Sequence, residues 1–146
     1  TFSKMFALGG MRLGWAYAPA KIVDVLNRVR GPFNVGASAQ AAGVAALEDL
    51  AFQDRCRANN DRVLPWFVAE VGKLGLKTLP SVGNFVMVEF AENGPHTAAA
   101  ANEFLMSRAI IPRAVANYGL PSFLRVTIGT DEDMRAVVAA LAEFLK

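Results

Sequence analysis

The 146 residues carry 15 basic and 13 acidic side chains, for a net charge of +2, and 53% of them are apolar, with a mean hydropathy of +0.30. That length suits one domain, or one domain with part of another. The charge is too balanced to point to nucleic acid or an anionic membrane, and no run of about 18 uncharged apolar residues marks a membrane span.

In chain order, the first stretch, Thr1 to Trp15, packs hydroxyls, an amine, a glycine pair and a guanidinium together. On one straight helix Lys4 and Arg12 would stand about 12 Å apart along the axis and about 80° around it. The glycine pair Gly9-Gly10 is therefore expected to reverse the backbone at positive φ and return Arg12 beside Thr1-Phe2-Ser3-Lys4. Arg12 would then fork two donors onto a phosphate, Thr1 and Ser3 would add neutral donors, and Lys4 could condense with an aldehyde to give an imine. Leu13 to Ala18 reads as a short buried strand ended by Pro19. Lys21 to Arg30 has helical period, with Ile22, Val25, Leu26 and Val29 on one face and Gly31-Pro32 as the stop. Ser38 is the expected N-cap of a small-residue helix, Ala39 to Leu47, in which Gly43 permits close packing.

A longer helix is predicted from about Ala51 to Leu74. Its apolar stripe runs through Cys56, Val63, Phe67 and Val71, Pro65 should kink it without breaking it, and Gly75 should cap it. Val82 to Phe90 reads as a strand covered on both faces. Thr97 caps a helix carrying Phe104 and Leu105. Ile110 to Arg113 is an edge strand, since Pro112 donates nothing to a ladder. After the turn Asn117 to Pro121, Phe123 to Ile128 is a strand, and Thr130 with Asp133 starts the last helix as a capping box. Met134, Val137, Val138, Leu141 and Leu145 form its stripe.

Each candidate has a plainer reading. Lys4 and Arg12 could be solvated surface residues, and the hydroxyl of Thr1 could be unengaged. Arg125 stands among Phe123, Leu124, Val126 and Ile128, where an unpaired charge is costly, so an anion is its expected partner. A salt bridge to Glu89 or Asp131 is the alternative. Arg113 beside Pro112 could be exposed on its edge strand, or could join Arg125 in receiving a phosphate. His96 reads as a surface turn residue, Tyr118 as a pocket residue or, by preference, a turn aromatic, and Cys56 as apolar filler. Asp131, Glu132 and Asp133 complement a helix dipole without a metal ion. The pair Asn59-Asn60 carries no assignable chemistry. A lone cysteine excludes an internal disulfide and fits a reducing compartment.

The pattern Thr1-x-Ser3-Lys4, then Leu8-x-Gly10-x-Arg12-x-Gly14, resembles the cofactor-lysine segment of fold-type I pyridoxal-phosphate aminotransferases. Together with Asn34 to Gln40 and Leu124-Arg125-Val126-Thr127-Ile128-Gly129, it is most similar to the histidinol-phosphate branch of that family. The resemblance runs the length of the chain but covers only the C-terminal part of such an enzyme. It implies an α/β fold, with the end of the large cofactor-binding domain in 1–50, a connecting long helix in 51–75 and a small C-terminal α/β domain in 76–146. It also implies that Lys4 binds pyridoxal 5'-phosphate covalently, that Ser3, Arg12 and Thr1 hold its phosphate, and that Arg125, assisted by Arg113, takes the anionic end of the substrate. No metal is implied.

The expected function is amino transfer from histidinol phosphate to 2-oxoglutarate, giving imidazole acetol phosphate and glutamate in histidine biosynthesis. The enzyme is expected to be a cytoplasmic homodimer acting on small molecules, without nucleic-acid or membrane partners. Residues for the pyridine nitrogen would precede Thr1, which is no initiator methionine, so this stretch alone is expected to be inactive. The surplus apolar surface is expected to face the absent domain or a second subunit. An aromatic-amino-acid transaminase or a phosphothreonine decarboxylase would keep the fold. A noncatalytic α/β interaction module is the alternative from another class.

Overall fold

In the computed structural model, which describes residues 1–146, the chain divides into two units, Thr1–Arg57 and Ala58–Lys146. The first holds a short 3-10 turn at Gly9–Met11, helix α1 (Ala20–Val29), helix α2 (Ala37–Glu48) and the start of helix α3 (Leu50–Lys73). The stripe of α1 forms as its period demands, yet Ile22, Val25, Leu26 and Val29 remain 44–73% exposed. Helix α2 is built from small residues and buries Ala39 and Gly43. Its N-cap is Gly36 and not Ser38, because extended backbone at Gly36 already offers its carbonyl to the Gln40 N–H at 3.1 Å. Two glutamine amides complete the ends of α2. Gln40 donates to the Val35 carbonyl, and the buried Gln53 donates to those of Ala46 and Leu47, which would otherwise lack helical partners.

The expected strand over Leu13 to Ala18 does not form. A strand needs a ladder for its N–H and C=O groups, and the first unit contains no other strand. Trp15 and Tyr17 are accordingly 71% and 96% exposed.

In the second unit α3 runs through Pro65 unbroken to Lys73, and Gly75 follows at a φ of 81°, its N–H reaching the Gly72 carbonyl while the Leu76 N–H reaches that of Val71. Four antiparallel strands follow: β1 (Lys77–Thr78), β2 (Phe85–Glu89), β3 (Arg113–Ala114) and β4 (Phe123–Thr127), in the order β1-β2-β4-β3. Helices α4 (Ala98–Ser107) and α5 (Asp131–Phe144) complete the unit.

Strand β2 starts three residues later than expected. Ser81 folds the preceding residues into a turn, its hydroxyl donating to the Phe85 carbonyl at 2.6 Å and accepting from the Gly83 N–H. Burial along β2 alternates, so only one face is fully covered. The edge strand occupies Arg113–Ala114, beyond Pro112, which cannot donate to the ladder.

The core packs Val86 and Val88 of β2 and Leu124 and Val126 of β4 against Val63, Phe67 and Val71 of α3, Ala101 and Leu105 of α4, and Met134, Val137 and Leu141 of α5. Caps hold the helix starts as expected. The Thr97 hydroxyl accepts from the Ala100 N–H, and Thr130 and Asp133 form a reciprocal capping box. Hydrogen bonds from the Thr130 side chain, then from its backbone, hold the Asp133 carboxyl below its ordinary value. Asn59 and Asn60 tie α3 to loops by donating to the Gly129 and Gly83 carbonyls. His96 is half-buried edge-on to Phe144, at 5.2 Å between ring centroids.

Candidate functional site

The opening loop closes on itself. The Phe2 N–H donates to the Leu13 carbonyl at 3.1 Å, the Leu8 N–H returns to the Phe2 carbonyl at 3.0 Å, and the Ala7 N–H reaches that of Lys4 at 2.8 Å. Phe2 is buried and stacks on Phe6 at 4.8 Å between centroids. Beneath them Gly43 of α2 has no Cβ, and one placed there would collide with the Leu13 side chain and touch Phe2. Thus the small residue at 43 seats the loop on α2.

The reversal itself is made by Ala7 and Arg12, at φ 55° and 52°, while Gly9 and Gly10 form the 3-10 turn. This corrects the expected glycine hinge: the turn needs left-handed backbone on either side of the pair, at residues for which it carries strain.

Thr1, Ser3, Lys4 and Arg12 therefore belong to one closed loop. The Thr1 hydroxyl donates to Ser3 Oγ at 3.0 Å and accepts from the Ser3 N–H at 3.2 Å. Arg12 Nη1 donates to the Gly9 carbonyl at 2.6 Å, which fixes the guanidinium against its own turn and leaves its other N–H groups free. Lys4 is exposed. Neither Lys4 nor Arg12 takes part in any of the chain's ion pairs.

The other two candidate residues lie in the second unit. Arg113 of β3 and Arg125 of β4 are direct register partners, so their side chains share the sheet face opposite the core. Arg125 is half-buried. Its guanidinium carbon lies 5.1 Å from the centre of the Phe85 ring, and its Nε is buried with no hydrogen-bond partner. The alternative salt bridge to Asp131 is absent, because Asp131 pairs with Arg62 and Arg135 instead. Glu89 shares the sheet face through its place on β2 but forms no ion pair with either arginine.

Arg113 is exposed and donates through Nη2 to the Tyr118 hydroxyl at 3.0 Å. The sequence marks Phe85 only as an apolar strand residue and leaves Tyr118 between a pocket residue and, by preference, a turn aromatic. The signals were a cross-strand diagonal and an i, i+5 spacing across a turn, which no simple period reveals. No group of three or more His, Cys, Asp or Glu is gathered as metal ligands.

The family model described as aminotransferase class I and II matches residues 1–141, and the chain belongs to that family. Within it, the chain is 54% identical over 145 residues to the histidinol-phosphate aminotransferase of Paramagnetospirillum magneticum, covering 99% of this chain and 40% of that protein. It is 54% identical over 146 residues to the histidinol-phosphate aminotransferase of Rhodospirillum centenum, covering 100% of this chain and 40% of that one. The solved histidinol-phosphate aminotransferase of Sinorhizobium meliloti, in complex with pyridoxal-5'-phosphate, superposes with a TM-score of 0.83 at 28% identity, over 99% of this chain and 40% of that one. The chain thus spans about 40% of the length of the curated relatives it matches.

Proposed function

We propose that the full-length protein carrying this chain is a pyridoxal-phosphate-dependent aminotransferase that moves the amino group of histidinol phosphate to 2-oxoglutarate, a step of histidine biosynthesis. The observation that carries this reading is the closed Thr1–Leu13 loop, which bears two hydroxyls, one lysine amine and one guanidinium and no carboxylate. That donor set fits a phosphate monoester bearing a carbonyl group.

In this reading Arg12, Ser3 and Thr1 hold the cofactor phosphate. Lys4, the loop's only amine, is the covalent anchor and carries the proton taken from the substrate's amine-bearing carbon. When bound, pyridoxal phosphate supplies an electrophilic carbonyl and a conjugated ring that accepts the electron pair left on that carbon. Arg125 and Arg113 receive the anionic end of the substrate. The buried, unpartnered Nε of Arg125 supports that role, since a desolvated donor is costly when left unpaired.

Residues 1–50 are read as the end of the large cofactor-binding domain, 51–75 as a connecting helix and 76–146 as the small domain. A cytoplasmic homodimer belongs to the same reading. The exposed apolar face of α1 supports further covering of this region, and no helix is long and apolar enough to cross a membrane.

The test is glutamate formation by the full-length protein with pyridoxal phosphate, histidinol phosphate and 2-oxoglutarate. Turnover with this donor well above that with aromatic amino acids is expected. A loaded protein that aminates 2-oxoglutarate only from aromatic donors, or that releases carbon dioxide from phosphothreonine, would overturn the substrate assignment.

A further inference from the structure

We propose that Tyr118 is a positioning residue that holds Arg113 over the sheet face beside Arg125, and so sets the preference of that face for a phosphate over a carboxylate. The proposal rests on the reading that this face receives the anionic end of the substrate. Directly opposed like charges on one sheet face destabilise each other, and Arg113 and Arg125 are such a pair, with no acidic residue bonded to either. A carboxylate neutralises one of them, whereas a phosphate dianion neutralises both.

Arg125 is held by its place in the middle of β4 and by the Phe85 ring. Arg113 has no such support, since β3 is two residues long, lies at the sheet edge and leaves the side chain exposed. A long side chain so placed samples many rotamers, and binding must order it at an entropic cost.

Tyr118 restricts that freedom. After the buried Val115, the chain makes a 3-10 turn at Ala116–Tyr118, closed by the Tyr118 N–H to the Val115 carbonyl at 2.9 Å. Gly119 follows at φ 78°, a left-handed conformation suited to glycine. This turn carries the phenol back to residue 113. The Tyr118 hydroxyl accepts from Arg113 Nη2 at 3.0 Å, and the ring centre lies 5.8 Å from the guanidinium carbon. The remaining N–H groups of Arg113 stay available to an anion.

The experiment measures kcat and KM of the full-length protein for the phosphorylated donor and for glutamate in Tyr118→Phe, Arg113→Ala and the double variant, with thermal melts to confirm folding. Tyr118→Phe keeps the ring and loses the hydrogen bond. It should raise KM for the phosphorylated donor about tenfold with little change in kcat, the size expected for one hydrogen bond to a charged group. The loss for glutamate should be several-fold smaller, and Tyr118→Phe should add almost nothing to Arg113→Ala.

Equal losses for both donors, or a full additive loss on top of Arg113→Ala, would overturn the positioning role. A silent Tyr118→Phe beside a strong Arg113→Ala effect overturns this proposal alone. An Arg113→Ala variant that binds the phosphorylated donor normally overturns the underlying reading with it.

Discussion

The two units use apolar residues in opposite ways. From Ala58 onward the chain buries Val63, Phe67, Val71, Val86, Val88, Leu105, Leu124, Met134 and Leu141 behind one sheet face, a core whose members support one another. Among the apolar residues of Thr1–Arg57, only Phe2 and Ala39 are buried, while Trp15, Tyr17, Val29 and Phe33 stand in the open. The second unit is held by its own packing. The first is held by local hydrogen bonds and by close contacts such as that of Leu13 and Phe2 on Gly43, which seats the loop bearing the candidate chemistry. A similar apolar fraction thus gives stability in one region and unpartnered surface in the other, because a stripe stabilises only what it can be packed against.

The largest expected effect sharpens this contrast directly. In the chain of residues 1–146, Phe67→Ala should lower stability by about 3–5 kcal/mol through the cavity it leaves. Val25→Ala on the exposed stripe of α1 should change it by less than about 0.5 kcal/mol. Urea unfolding measures both, and equal losses would erase the distinction between the units.

Next in size, Gly43→Ala forces the flexible end of the half-buried Leu13 side chain to move, at a cost of about 1 kcal/mol. Hydrogen exchange should show lost protection at the Phe2 and Leu8 amides while the β2 and β4 amides stay protected.

Thr130→Ala removes the acceptor for the Asp133 N–H and should cost about 1 kcal/mol, seen as a lower melting temperature with the first unit's exchange pattern unchanged.

The smallest effect is electrostatic. Hydrogen bonds from Arg135 and then Arg62 hold the Asp131 carboxyl below its ordinary value of 3.8. Its contribution is therefore present above that value and lost as pH falls through the lower folded one. Carboxyl NMR titration should place Asp131 below 3.8, and Arg135→Ala should move it upward.

What was legible in the sequence was local. The Thr130–Asp133 capping box, the Thr97 cap, the Gly75 stop and the stripe of α5 each depend on residues within a turn or two, and each forms as read. Where pairing decides, the sequence misled. Leu13 to Ala18 has strand composition but no ladder to join, and β2 begins late because the Ser81 hydroxyl captures the Phe85 carbonyl.

The candidate site was readable as a set of residue types at telling spacings in one loop. The agent of its reversal was not, because left-handed backbone at Ala7 and Arg12 is imposed by closure of the loop and not by their own preference. The partners of Tyr118 and Phe85 were hidden for the same reason, since they are chosen by a turn and by strand register.

The account centres on Lys4 as the residue that holds the cofactor. Borohydride reduction of the full-length protein loaded with pyridoxal phosphate, followed by peptide mapping, tests this most directly. The stable adduct is expected on the peptide containing Lys4, with uptake sharply reduced in Lys4→Ala. A stoichiometric adduct on another lysine, or cofactor bound with no reducible link, would contradict it.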